Sequence, residues 1–330
     1  DSIFTTDNGA LVDTRNLAFD LSYVHQLKKP GAQLSFNGHY TNYDENLQQG
    51  IFSEYFDATG SFLRNFGFQT DALQDIGIFT GQIDFSMPTG SSSIETGVKL
   101  SVIDSESSIE YSNFLGTDQN VNAGLSDDFL YDEKIYAAYF SWVKNWGKWS
   151  TKLGVRGEYT DALGTSLTLG ETNVQEFFEP FPTLYVLYAP SDAHSFSFDY
   201  GRNVDRPRYN DLNPFRFFFN ENNFLEGNPT LRPNFSNNFN LNYTLNNEFF
   251  FDVYYRDNGN YISGLSFQDN TNLTLRELQQ NVLSSTSYGL DFTISKRILD
   301  PWFLYAYTSV FYEDETFLAV ESDNQEFTNQ

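Results

Sequence analysis

Five of the eleven arginines in this 330-residue chain, Arg202, Arg206, Arg208, Arg216 and Arg232, fall in one stretch of a protein whose formal net charge is -25. A guanidinium offers a planar fork of donors that fits a carboxylate or phosphate edge-on. Such a positive island has two chemical uses. The forks can grip an anionic ligand, or they can pair with Asp199, Asp205 and Asp211 and pin a loop to the rim of the fold. Pairing demands less, since loop ion pairs are common and individually weak. Four of the ten prolines, Pro207, Pro214, Pro229 and Pro233, lie in the same stretch. Proline removes a ladder donor and fixes φ, so an ordered non-strand loop is expected over 205–234. The ligand-binding or loop-anchoring candidates are Arg202, Arg206, Arg208, Tyr209, Asp211, Asn213, Arg216 and Asn228.

Other chemistry is thin. The chain has no cysteine, which removes thiol nucleophiles, disulfides and cysteine-ligated zinc together. His25, His39 and His194 have no metal-ligand spacing, and pairing across the first turn sets residue 25 beside 34 and 39 beside 20. No HExxH, GxSxG or phosphate-loop pattern occurs, so neither an enzyme nor a cofactor is expected. The acidic runs at 127–133 and 313–315 lack an EF-hand spacing and read as solvated faces. A nucleic-acid partner is disfavoured, because phosphates would meet a strongly negative crown of loops.

The elements that must position these residues are strands. Phe 34 and Tyr 21 against Met 1 favour an all-β chain. Six short turns, at 28–31, 89–92, 145–147, 190–193, 246–247 and 299–301, each join two alternating segments. The expected strands are 15–27, 32–43, 75–87, 92–104, 131–144, 148–160, 181–189, 194–204, 235–245, 248–256, 285–297 and 302–312. Long non-strand stretches are expected between them, at 1–14, 44–74, 105–130, 161–179, 205–234, 257–284 and 313–330. Those stretches hold 30 of the 44 acidic residues and only 6 of the 19 basic ones, so the acid belongs to one end. Six of the eight lysines and all four tryptophans (Trp142, Trp146, Trp149, Trp302) lie in or beside the short turns. Indoles and lysines there suit the edge of a hydrocarbon layer. Alternation alone fits a soluble sandwich as well as a membrane barrel. Strand length and the confinement of every long connection to one end favour an antiparallel up-and-down transmembrane β-barrel of about twelve strands.

Residues 201–215 (GRNVDRPRYNDLNPF), then 226–233 (EGNPTLRP) and the strand at 238–243, resemble the barrel of TonB-dependent outer-membrane receptors of Bacteroidetes-type bacteria. The resemblance implies a Gram-negative outer-membrane location, a barrel of 22 strands around a plug, and import of a scarce solute such as a siderophore, glycan or peptide. It implies as partners membrane lipid, the TonB system acting through a plug absent from this chain, the imported molecule and a lipoprotein lid over the loops. Both ends of the chain fall on the long-loop side, so residues 1–330 are expected to be a single barrel region cut from a larger barrel. A soluble or surface-anchored β-rich glycan-binding or adhesion protein, using loop aromatics, is the competing expectation.

Overall fold

A computed structural model describes residues 2–115, 118–319 and 325–329. The chain runs through β1 (Ser2–Gln26), β2 (Gln33–Asp57), β3 (Phe62–Thr89), β4 (Ser92–Leu115), a short β5 (Asp118–Val121), β6 (Asp127–Trp146), β7 (Trp149–Ser166), β8 (Glu171–Ser191) and β9 (His194–Asp205). A one-turn helix α1 (Tyr209–Leu212) and the short strands β10 (Arg216–Asn220) and β11 (Asn223–Glu226) follow. Then come β12 (Asn234–Leu245), β13 (Phe249–Gly259), β14 (Ile262–Asp269), β15 (Thr274–Asn281), β16 (Ser284–Leu299), β17 (Trp302–Ala319) and β18 (Gln325–Asn329).

Among the described residues fourteen strands make one antiparallel sheet whose members, the short β5 beside β4 apart, pair in chain order, as an up-and-down barrel wall requires. The twelve expected strands are its long members, joined in six hairpins by the six short turns. At the fifth turn Asn246 and Asn247 both take φ near +55°, the left-handed pair that matches the twist of a two-residue hairpin and that Asn tolerates.

The stretches 1–14, 44–74, 105–130, 161–179 and 313–330 are corrected by the structure, because most of their described residues continue the strands or pair beside them. The β1–β2 ladder runs unbroken from Gln26 opposite Gln33 to Ser2 opposite Asp57. The β3–β4 ladder persists to Phe68 opposite Asn113. Backbone pairing does not need an apolar face. Beyond the hydrocarbon both sides of the wall carry polar residues, so alternation fades while the hydrogen bonds go on.

The direction each face looks is settled by packing. Leu17, Phe19, Leu21 and Tyr23 alternate along β1 and are 51–63% exposed. Their cross-strand partners and successors on the same face, such as Tyr40, Phe79, Val98, Tyr136 and Phe140, are exposed as well. In a soluble sandwich that face would be the core; here, among the described residues, no second layer covers it. From the Trp146–Trp149 pair to the Tyr136–Tyr159 pair is ten residues along β6. That is ~33 Å of strand, or ~25 Å along the membrane normal at a tilt of ~40°, the height of an outer-membrane apolar band. Strands of 18 to 28 residues in the first half of the sheet therefore rise well past the bilayer.

Candidate functional site

The opposite face of the wall, past the outer end of that band, is covered by an insert. β10, β11, β15 and β14 form a separate four-stranded sheet, in which β11 and β15 run parallel. It is drawn from two connections expected to be strand-free, 205–234 and 257–284, so the non-strand expectation is corrected there too. The prolines sit where they predicted no ladder: Pro207 and Pro214 flank α1, and Pro229 and Pro233 follow β11. The strands form between them.

Two apolar contacts dock this insert. Ile51, Phe68, Ile109 and Tyr111 of β2–β4 close around Phe218 and Phe224. Phe68 meets Phe218 edge-on at 5.0 Å between ring centres. The Gln49 side chain, 1% exposed, donates to the Phe218 carbonyl at 2.9 Å. Nearby, Arg64 grips Glu221 with two guanidinium nitrogens and lies 3.7 Å from the Tyr55 ring centre. Further along the wall, Phe129 of β6 packs on Leu212 of α1 and on Leu231, which has no exposed surface. Each such buried side chain contributes ~1.5–3 kcal/mol relative to exposure.

The candidate residues hold this arrangement together. Arg206 places Nη2 2.7 Å from Glu158 Oε2 and Nε 3.7 Å from Glu133 Oε1, reaching across to β7 and β6. Arg156 holds the other oxygen of Glu158 at 2.6 Å. Arg202 meets Glu179 at 2.6 Å and donates to the Pro180 carbonyl at 2.9 Å. Arg208 makes a two-pronged contact with Asp211, at 2.9 and 3.0 Å. Tyr209 stacks obliquely against Tyr131 at 5.7 Å. Asn213 accepts from the Phe215 amide, and Asn228 donates to the Gln279 carbonyl of β15, tying the two connections together. Arg216 and Arg276 share Glu226, at 3.1 and 2.8 Å.

Only Asp211 among the three expected aspartates serves an arginine of the island in these contacts. Asp199 accepts from Asn240 instead. Glu133 and Glu158 were missed because Arg206 meets them only once the connection folds over the wall, whereas Glu179 meets Arg202 between neighbouring strands β8 and β9 and Glu226 lies opposite Arg216 within the β10–β11 hairpin. Burial pushes the Glu133 carboxyl above the usual carboxylate range, with Arg206 and Tyr209 acting in the opposite direction. Burial likewise raises the Tyr209 hydroxyl, with Glu133 adding to the effect.

Between the insert and β2–β4 lies a cavity of about 420 Å³. Its wall includes Arg208, Asp211, Asn213 and Arg216 from the candidate set, with Glu45 and Gln74 opposite and apolar surface from Leu47, Phe217 and Leu278. The volume suits a small ligand, and polar groups converge on a largely apolar lining. Tyr209, Arg206 and Asn228 lie outside it and serve the docking contacts, while Arg202 ties β9 to β8 within the wall.

The sequence pattern of the outer membrane protein beta-barrel family matches residues 25–330. This chain belongs to the outer membrane protein β-barrel family. As a member of that family it resides in the outer membrane, in agreement with the apolar face turned outward. Among solved structures it is similar to the copper transporter OprC, with a TM-score of 0.55 and 10% identity over 94% of this chain and 54% of that one. It is similar also to the ferric citrate transporter FecA, with a TM-score of 0.49 and 12% identity over 87% of this chain and 44% of that one. A third is the siderophore receptor PiuA from Acinetobacter baumannii, with a TM-score of 0.48 and 13% identity over 97% of this chain and 56% of that one. No curated protein sequence matches the chain. This family member spans about half the length of these solved structures, and with OprC it shares the barrel fold.

Proposed function

We propose that residues 1–330 are one barrel region, the wall and extracellular mouth, of a TonB-dependent receptor that imports a scarce solute. The observation that carries this is the insert pinned to the inner face of the wall at its acidic end, with a 420 Å³ cavity beneath it. A wall alone would be a pore; a wall whose mouth holds a shaped recess can select a solute before passage. The solved neighbour named for copper favours a scarce, metal-linked solute over a bulk nutrient. The whole receptor would draw energy from TonB through a plug, and a lipoprotein lid would sit over the loops. The chain's own residues bind and orient; none is assigned a bond-breaking role. The soluble glycan-binding alternative is disfavoured by the uncovered apolar face.

The test is to fill the recess. Gln74 lines it from β3, and Gln74→Trp in the full-length protein should slow growth on ferric siderophores, copper or oligosaccharides supplied as sole limiting source. The heat-modifiable folded band should stay at its normal level in the outer membrane. Unchanged growth on every solute whose use depends on the intact gene would overturn the assignment of this cavity.

A further inference from the structure

On the outward face near the short turns, β4, β6 and β7 build a polar notch beside an apolar groove. Register sets Ser92, Lys144 and Thr151 next to one another across the three strands. One step away from the turn the same face carries Ile94, Trp142 and Leu153, and after that Thr96, Phe140 and Val155. Phe140, Trp142, Leu153, Gly154 and Val155 line a shallow groove of about 320 Å³. One step toward the turn, Trp146 lies opposite Trp149, which stacks on Tyr188 at 4.3 Å. The notch is thus bounded by indoles below and hydrocarbon above.

The Lys144 ammonium lies 5.4 Å from the centre of the Trp146 ring. Among the described residues it forms no ion pair, whereas Lys296 on the last hairpin is held by Glu248 at 2.8 Å. Its cross-strand neighbours are two hydroxyls. One cation and two hydroxyls, placed where strands leave the hydrocarbon, make a set of donors for a phosphodiester.

We propose that this notch binds one anionic phospholipid of the inner leaflet, with its phosphate on Lys144, Ser92 and Thr151 and an acyl chain along the groove. The occupant must carry a chain, because the groove opens into the bilayer. It must also bring net negative charge, because a zwitterionic headgroup supplies its own ammonium and gains less from Lys144. The inference needs only the membrane-embedded wall, so it stands or falls independently of solute import.

The experiment uses the full-length protein in nanodiscs of equal phosphatidylglycerol and phosphatidylethanolamine, with retained lipid read by native mass spectrometry. Wild type should keep one phosphatidylglycerol in preference to phosphatidylethanolamine by roughly fivefold, the factor one lysine adds at an anionic surface. Lys144→Gln should bring the ratio near one. Lys29→Gln, in a different turn, should leave it unchanged. Val155→Trp keeps the charge but fills the groove, and should also remove the retained lipid while the heat-modifiable folded band persists. Glycerol phosphate should not displace the lipid. Absence of a preference in wild type, equal losses for both lysine variants, or full displacement by glycerol phosphate would each overturn the proposal.

Discussion

Arg206 is the residue on which the inner docking turns, since it ties a proline-flanked connection to two glutamates of the wall. Arg206→Ala leaves Glu133, 4% exposed, without its cation, and leaves Glu158 with Arg156 alone. Breaking a buried pair from one side costs ~3–5 kcal/mol, and the partial exposure of Arg206 lowers that to about 2–3 kcal/mol. The loss should appear as faster protease cleavage within 205–234, with the wall still folded. Glu133 supplies a pH dependence of opposite kind. Its folded-state pKa is raised by burial, so the native form holds a proton more tightly than the unfolded chain. Stability from this group is therefore full below the unfolded value of ~4.3 and declines as pH rises through the folded value. Glu133→Gln should flatten that decline in a pH series of thermal melts, while Arg206 keeps Glu158. The arginines and their loop were legible in the sequence because charge of one sign was concentrated there. Glu133 and Glu158, the partners of Arg206, were not, since an acid on a lumen-facing strand position looks like any other polar wall residue until a connection folds back over it.

At the scale of elements, the insert depends on one close approach. A Cβ on Gly227 would overlap the Asn213 carbonyl, a backbone atom that cannot swing aside. The Gly227 amide also donates to the Phe215 carbonyl at 3.1 Å, and the next amide to that of Asp211 at 2.6 Å. Gly227→Ala should thus prise β11 from α1 and loosen the four-stranded sheet. Hydrogen exchange should rise across 209–231 and 262–281 and stay unchanged in 92–104 and 131–144. Equal protection in all four segments would show that the turn accommodates a methyl group. The short hairpin turns were legible because Gly, Asn and Pro mark them and because alternation is strong where one face meets lipid. The strand extensions above the bilayer were not, for β2 from Asp44 to Asp57 mixes Gln49 and Ser53 with Ile51 and Tyr55 on its inner face. That mixture suits burial under a small mixed sheet and has no simple period.

For the whole molecule, separation of charge along the strands predicts which end faces which compartment. The turns at Thr89–Ser92 and Trp146–Trp149 belong to the end rich in lysine and tryptophan, and the Asp57–Phe62 turn belongs to the acidic end. A long excursion on one side and a tight reversal on the other place the acidic end outside the cell. Because residues 1–330 have no cysteine, each substitution adds one thiol to this region, and the unsubstituted protein gives the background. Ala58→Cys, in the turn capped by Asp57, whose side chain accepts from the Thr59 and Ser61 amides, should react with a membrane-impermeant maleimide in intact cells. Ser91→Cys, in the β3–β4 turn, should react only after the outer membrane is permeabilised. Both are exposed in the fold, so a difference between them measures the membrane and not the protein. The reverse pattern would invert the barrel and place the insert and its cavity on the periplasmic side, where they could not meet an external solute first. Equal labelling of both in intact cells would mean that the outward apolar belt does not seal in a bilayer at all.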